Sequence, residues 1–306
     1  MPKNNTRPQS KLSVWISATR PKTLLASQGP VLLGLFLAFE INQNINFSIA
    51  IITLLCALLM QIGTNLVNDY FDHFTGVDSE KRLGPERVTS KGLLAPEEVK
   101  KGFLTCFITS FLFGCILMYV GGYPIIIIGL LSLLMAYTYT GGPFPLSHFA
   151  LGELVAIIFF GPVAVWGTYF LQTKSFDTLP VLIGLGPGFI AGTLMSINNL
   201  RDRISDKKAS KLTLAVLLGE ERARLLTLFT VILSGFIPTI TYFLKPNPYL
   251  LLPALTPLLF LKNWNYLRKG PINQHLNIVL AKTGQYLFLY CIFFSLSYFM
   301  AVKNVA

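Results

Sequence analysis

Apolar runs long enough to cross a bilayer recur along this chain at about 23–40, 46–67, 103–121, 123–140, 150–171, 179–198, 224–244, 248–264 and 283–302. A helix needs about 20 such residues to span the hydrocarbon core. No other feature constrains the fold as tightly. Backbone polar groups in lipid must be satisfied within the protein, which leaves helices and closed barrels, and runs of this length read as helices. Composition agrees, with 53% hydrophobic and only 13% charged residues against roughly 25% charged in soluble domains. The sequence predicts an all-α integral membrane protein of about nine transmembrane helices. It forms one polytopic domain over residues 1–306, with a polar tail over 1–19 and no signal peptide.

Lysine and arginine set the orientation. With the N-terminus inside, 22 of the 25 basic residues fall on the inner side, leaving Lys174, Lys245 and Lys303 outside. The formal charge of +11 is therefore a signature of the lipid bilayer and its topology, and not of nucleic acid. Two long inner loops, about 69–102 and 199–223, are expected to form a cytoplasmic cap, because long loops in compact proteins usually carry function. Cys56, Cys106, Cys115 and Cys291 all lie inside apolar runs without metal-ligand spacing and read as packing residues. Nothing in the sequence calls for an obligate protein partner.

Two acidic stretches end apolar runs on the inner side: Asn65-Leu66-Val67-Asn68-Asp69-Tyr70-Phe71-Asp72, continuing to Asp78, and Asn198-Asn199-Leu200-Arg201-Asp202-Arg203-Ile204-Ser205-Asp206. Asn65, Asp69 and Asp72 share one helix face, and so do Asn198, Asp202 and Asp206. A carboxylate at mid-membrane costs about 2.5–3.5 kcal/mol on insertion scales, so clustered acids at two helix ends need compensating cations. Hard oxygen ligands suit Mg²⁺, usually shared with substrate phosphates. Neighbouring Arg and Lys residues suit anionic oxygen. Together they describe a diphosphate site, in which metal and cations neutralise charge on a departing leaving group. If the diphosphate is allylic, its loss leaves a carbocation that must be kept from water. The 24 Phe and 12 Tyr residues supply apolar and cation–π walls for such a cavity.

These motifs resemble the intramembrane aromatic prenyltransferases of the UbiA superfamily, and within it the branch acting on 1,4-dihydroxy-2-naphthoate. The resemblance runs nearly the whole length. It includes Arg20-Pro21-Lys22-Thr23-Leu24, the two acidic stretches, Gly84-Pro85-Glu86-Arg87, Tyr139-Thr140-Gly141-Gly142-Pro143-Phe144-Pro145-Leu146, Leu151-Gly152-Glu153, Phe159-Phe160-Gly161 and Thr213-Leu214-Ala215-Val216. It implies nine transmembrane helices around a central cavity. It also implies transfer of a chain from polyprenyl diphosphate to the naphthoate with loss of its carboxylate. Asp69, Asp72, Asp202 and Asp206, with Asp78, are the implied metal ligands. Asn65, Asn68, Asn198, Arg82, Arg87, Arg201, Lys207, Lys211, Tyr139 and Glu153 are the implied substrate contacts. Two positions depart from the family pattern: Ser210 stands where a glycine usually precedes Lys211, and Leu217 where an arginine is common. If that arginine binds diphosphate, Lys207, Lys208 or Arg222 must substitute.

Competing readings are concrete. Asp78 sits in a loop and Glu153 at a helix start, where solvated acids are ordinary. Arg82, Arg87, Lys91, Lys207 and Lys208 also suit orientation or anionic lipid. The acceptor ring can instead be 4-hydroxybenzoate or homogentisate. Outside the enzymes stands a cation-coupled transporter, which inverted repeats and midplane charges would favour.

Overall fold

Apolar runs become helix because, in lipid, the i to i−4 ladder is the local way to pair every backbone group. The structure, a computed structural model, describes residues 10–74, 83–85 and 87–303. In chain order the helices are α1 (Lys11–Thr19), α2 (Pro21–Asn42), α3 (Phe47–Phe74), α4 (Pro96–Gly121), α5 (Tyr123–Thr138), α6 (Gly152–Ile158), α7 (Ala164–Thr173), α8 (Leu179–Lys208), α9 (Leu214–Leu244), α10 (Leu261–Lys269) and α11 (Leu276–Lys303). A π turn, Phe159–Val163, joins α6 to α7, and a 3-10 segment, Pro248–Phe260, leads into α10.

Among the described residues, seven helical units are long and apolar enough to cross a membrane: α2, α3, α4, α6–α7, α8, α9 and α11. The remaining two apolar runs take shorter forms. α5 has 16 residues. The run at 248–264 is mostly 3-10, because Pro253 and Pro257 remove backbone donors and clash with the carbonyls four residues back. Pro162 acts similarly in the π turn, where Gly161 leaves helical geometry at φ −111°, ψ −108°.

Three boundaries differ from expectation. Residues 11–19 are not a tail: α1 packs Val14 and Ala18 against Leu66, Val99 and Phe103. The acidic ends are helix rather than loop, since α3 runs to Phe74 and α8 to Lys208. Past the hydrocarbon, the helix remains the cheapest way to satisfy the backbone. The second inner connection thus shrinks to 209–213, with α9 beginning at Leu214. α9 itself breaks at Gly219 (φ +76°), a left-handed position suited to glycine.

α8 is the central helix, 67% of its apolar window being buried, whereas α4 is peripheral at 17%. Glycines let α8 meet the α6–π–α7 unit backbone to backbone. A Cβ built on Gly188 would lie 2.5 Å from the Ile157 carbonyl oxygen, and one on Gly161 2.5 Å from that of Gly184. The crossing fixes how α8 presents its polar C-terminal half. At its end, the Lys211 amide donates to the Asp206 carbonyl at 2.8 Å through Ser210, held left-handed at φ +55°. The turn that glycine makes without strain survives here with serine.

Two outcomes test this packing in purified protein. Gly188→Val should destabilise by about 1–3 kcal/mol through overpacking, seen as a lower melting temperature. Gly114→Ala, with nothing near its added carbon, should not lower it. Ser210→Gly should raise stability by up to about 1 kcal/mol by relieving left-handed strain; a fall in melting temperature would contradict the strain.

Candidate active site

α3 places Asn65, Asn68, Asp69 and Asp72 in its last turns, facing the α1–α2 elbow and the segment before α4. Asp69 and Asp72 are buried, and guanidinium groups reach them. Arg20 Nη2 donates to Asp69 Oδ1 at 2.5 Å, and Arg87 Nη1 to the same oxygen at 2.9 Å. Arg87 Nη2 donates to Asp72 Oδ2 through a short contact. One arginine thereby spans both acids. Arg20 reaches in because it turns the chain between α1 and α2 at φ +52°, with Pro21 opening α2. Burial lowers the Arg20 pKa, and the facing Asp69 offsets only part of that; arginine keeps its proton regardless. Asn65 Nδ2 donates to the Thr19 carbonyl at 3.0 Å and to Thr23 Oγ1 at 3.3 Å, which locks α3 to the elbow. Thr140 donates a short hydrogen bond to Asn68 Oδ1.

α8 supplies the second cluster. Arg201 forms a two-pronged pair with Asp202, at 2.8 Å from Nε and 2.6 Å from Nη2. Arg201 also donates to Asn198 Oδ1 at 2.7 Å and to Asn277 Oδ1 at 2.8 Å. Asn277, from α11, donates onward to the Leu83 carbonyl at 2.8 Å. It thus ties the α8 cluster to the segment that carries Arg87. The Lys211 ammonium stands 3.8 Å from buried Asp206. Burial and the Lys211 charge both lower the pKa of His148 in the neighbouring loop.

Both clusters border one cavity of about 400 Å³. Its polar end is lined by Arg20, Asn68, Asp72, Arg87, Asn198 and Lys211, and its apolar walls include Met60, Phe111, Leu133, Phe159 and Leu171. An anion at the polar end meets three cations, and a chain attached to it meets hydrocarbon.

Of the sequence-predicted residues, Asn65, Asn68, Asp72, Arg87, Asn198, Lys211 and Tyr139 line this cavity. Asp69, Asp202, Asp206 and Arg201 stand behind it as buried partners. Glu153 faces α8, accepting from Asn199 Nδ2 at 2.9 Å. Lys207 is exposed on the last turn of α8, away from the cluster. Asp78 and Arg82 lie outside the described residues. Leu217 is 55% exposed, so its position faces outward, and of the basic residues downstream of Asp206 it is Lys211 that borders the cavity. Sequence reading assigned no role to Arg20, Thr140 or Asn277. Arg20 carried a signal, a cation beside a proline at the foot of the first span. Asn277 carried none.

The donor set fits a hard divalent cation: carboxylates and carboxamides with oxygen at every ligating position. Among the described residues, no three acids, histidines or cysteines gather into a complete metal cage. A site of one or two carboxylates completed by phosphate and water is how Mg²⁺ is usually held.

Comparison with known proteins identifies the family. The UbiA prenyltransferase family matches residues 28–275. The chain is 38% identical over 221 residues to 1,4-dihydroxy-2-naphthoate octaprenyltransferase of Haemophilus influenzae, covering 70% of this chain and 72% of that one. It is 31% identical over 270 residues to the protein of the same name from Mycobacterium tuberculosis, covering 88% and 91%. A UbiA homolog from Archaeoglobus fulgidus, solved bound to GPP and Mg²⁺, shares the fold with a TM-score of 0.66 at 16% identity, over 95% of this chain and all of that one. The chain belongs to the UbiA prenyltransferase family.

Proposed function

We propose that this membrane prenyltransferase moves a polyprenyl group from an allylic polyprenyl diphosphate to 1,4-dihydroxy-2-naphthoate, with loss of the carboxylate, giving the reduced, quinol form of demethylmenaquinone. The observation that carries the reading is the shared cavity. Residues of both acidic helix ends border its polar floor, and apolar side chains form the rest of its wall. The naphthoate acceptor is supported by the names of the relatives at 38% and 31% identity.

The chain acts as one catalytic domain. Arg20, Arg87 and Lys211 bind the diphosphate oxygens, and Asn68 and Asn198 orient them. Asp69, Asp72, Asp202 and Asp206 would hold Mg²⁺, with Asp78 as a further ligand. The ion supplies charge neutralisation for a leaving phosphate. Arg201, braced by Asn198 and Asn277, fixes the Asp202 carboxylate behind the floor. Arg82 and Lys207 add positive charge that attracts incoming anions. Ionisation of the allylic ester leaves a cation that the apolar wall shields from water, with the Tyr139 ring beside it. The electron-rich ring carbon of the acceptor attacks, and the carboxylate leaves as carbon dioxide to restore aromaticity. Glu153, through Asn199, sets the face that α8 turns to the acceptor.

The concentration of basic residues at one side supports a reading in which the N-terminus and this floor lie at the cytoplasmic face of a bacterial inner membrane, within nine spans capped by the two inner connections. This reading places α5 and the 248–264 run across the bilayer as well.

Asp69→Asn and Asp202→Asn should each cut turnover by about 100-fold or more, the scale of losing a preorganised electrostatic contact to developing charge, while elution from gel filtration stays monodisperse. Turnover is read in membranes with labelled prenyl diphosphate, and wild-type rates in either variant would remove the metal role. Given one prenyl donor and a panel of acceptors, purified protein should prenylate 1,4-dihydroxy-2-naphthoate in preference to 4-hydroxybenzoate and homogentisate. Preference for either rival would reassign the acceptor without touching the diphosphate site.

A further inference from the structure

A second cavity, of about 530 Å³, lies between α9, the 3-10 segment and α10 and shares no lining residue with the first. α9 contributes Leu228, Val231, Ile232, Gly235, Phe236 and Thr239, the repeat of one helix face. The opposite wall runs from Ala254 in the 3-10 segment to Arg268 in α10. At 1.5 Å per residue the α9 wall is about 16 Å long, roughly one leaflet of a bilayer core about 30 Å thick. Its mouth is apolar and open: Ile232 and Phe236 are 55% exposed and Leu258 56%.

One end differs from all the rest. Among the described residues, Arg268 is the one charged residue bordering the groove, and it is exposed, as are Lys262 and Lys269 on the same short helix. After Glu221 the sequence contains no aspartate or glutamate, while eight lysines and arginines follow; Arg224 pairs back with Glu220 at 2.9 Å, and the excess positive charge rests on α10. α10 is held firmly. Arg224 donates to the Leu267 carbonyl through a short contact and to that of Gly270 at 2.8 Å. Trp264 Nε1 donates to the Pro257 carbonyl at 2.8 Å. The groove is therefore built by fixed backbone, with a cationic end at the helix that leaves the apolar zone.

We propose that this groove seats an acyl chain of an anionic phospholipid, with its phosphate held by Arg268 and flanked by Lys262 and Lys269. Charge complementarity selects the head group and groove length selects the chain. A zwitterionic lipid satisfies the chain but carries a cation that meets three like charges. The site is independent of the prenyl transfer reading, since none of its residues borders the catalytic cavity.

Gly235 allows a clean test. A Cβ there would sit 3.7 Å from both the Ala254 oxygen and Pro257 Cγ, an ordinary contact, so a leucine fills the groove without moving backbone. Purified full-length protein, delipidated in neutral detergent, is titrated with phosphatidylglycerol or with phosphatidylcholine of the same chains, and bound lipid is counted by native mass spectrometry. Wild type should retain one phosphatidylglycerol, with at least about five-fold preference over phosphatidylcholine, and Arg268→Gln should erase about five-fold of it, the effect of one cation near an anionic lipid. Gly235→Leu should lose the bound lipid while melting as wild type in detergent alone. Equal retention of the two lipids by wild type would overturn the head-group site. Retention of phosphatidylglycerol by Gly235→Leu, or its displacement by glycerol phosphate alone, would overturn the seated chain.

Discussion

Four aspartates sit buried at the polar ends of two apolar helices, and each is answered by a cation: those of α3 by arginines from other segments, those of α8 by Arg201 and Lys211 close by in the chain. Asp69 meets Arg20 and Arg87, Asp72 meets Arg87, Asp202 meets Arg201, and Asp206 faces Lys211. Buried ion pairs of this kind add little net stability, because desolvation offsets the attraction, yet breaking one side is costly. Their value lies in readiness. A floor that already balances clustered negative and positive charge can accept a metal and a diphosphate together by exchanging partners, without rebuilding the fold around new charge.

That balance dictates much of the architecture. Arg20 must turn back beneath α2, so the chain takes a left-handed step before Pro21. Lys211 must fold over Asp206, so Ser210 accepts a strained conformation where glycine would be easier. α8 must carry Asn198 and Asp202 deep enough to face α3, and its glycines allow close contact with the α6–π–α7 unit. The large cavity then follows from what is left between these helices: polar at the floor, apolar above.

How much of this was legible depended on the range of the interaction. Apolar runs and i, i+4 spacing are local, so the helices and the acid-bearing faces could be read directly. The family motifs extended that reading to Arg87 and Lys211. Contacts set by folding could not be read. Asn277 is 76 residues from Arg201 and carries no distinguishing pattern, and Thr140 reaches Asn68 across 72 residues. Element boundaries failed where hydropathy ends before the helix does: α3 and α8 continue through their charged turns, so expected loops proved to be helix. The run at 248–264 was legible as apolar but not as 3-10, although Pro253 and Pro257 were the visible reason.

The central claim is that the two acidic helix ends serve one diphosphate. Anomalous diffraction from protein crystallised with Mn²⁺ in place of Mg²⁺ and an unreactive prenyl thiodiphosphate addresses it directly. The account predicts metal peaks bonded to carboxylates of both α3 and α8, with the diphosphate between them and its chain in the apolar cavity. Metal on one helix alone, or a diphosphate bound away from Arg87 and Lys211, would contradict it.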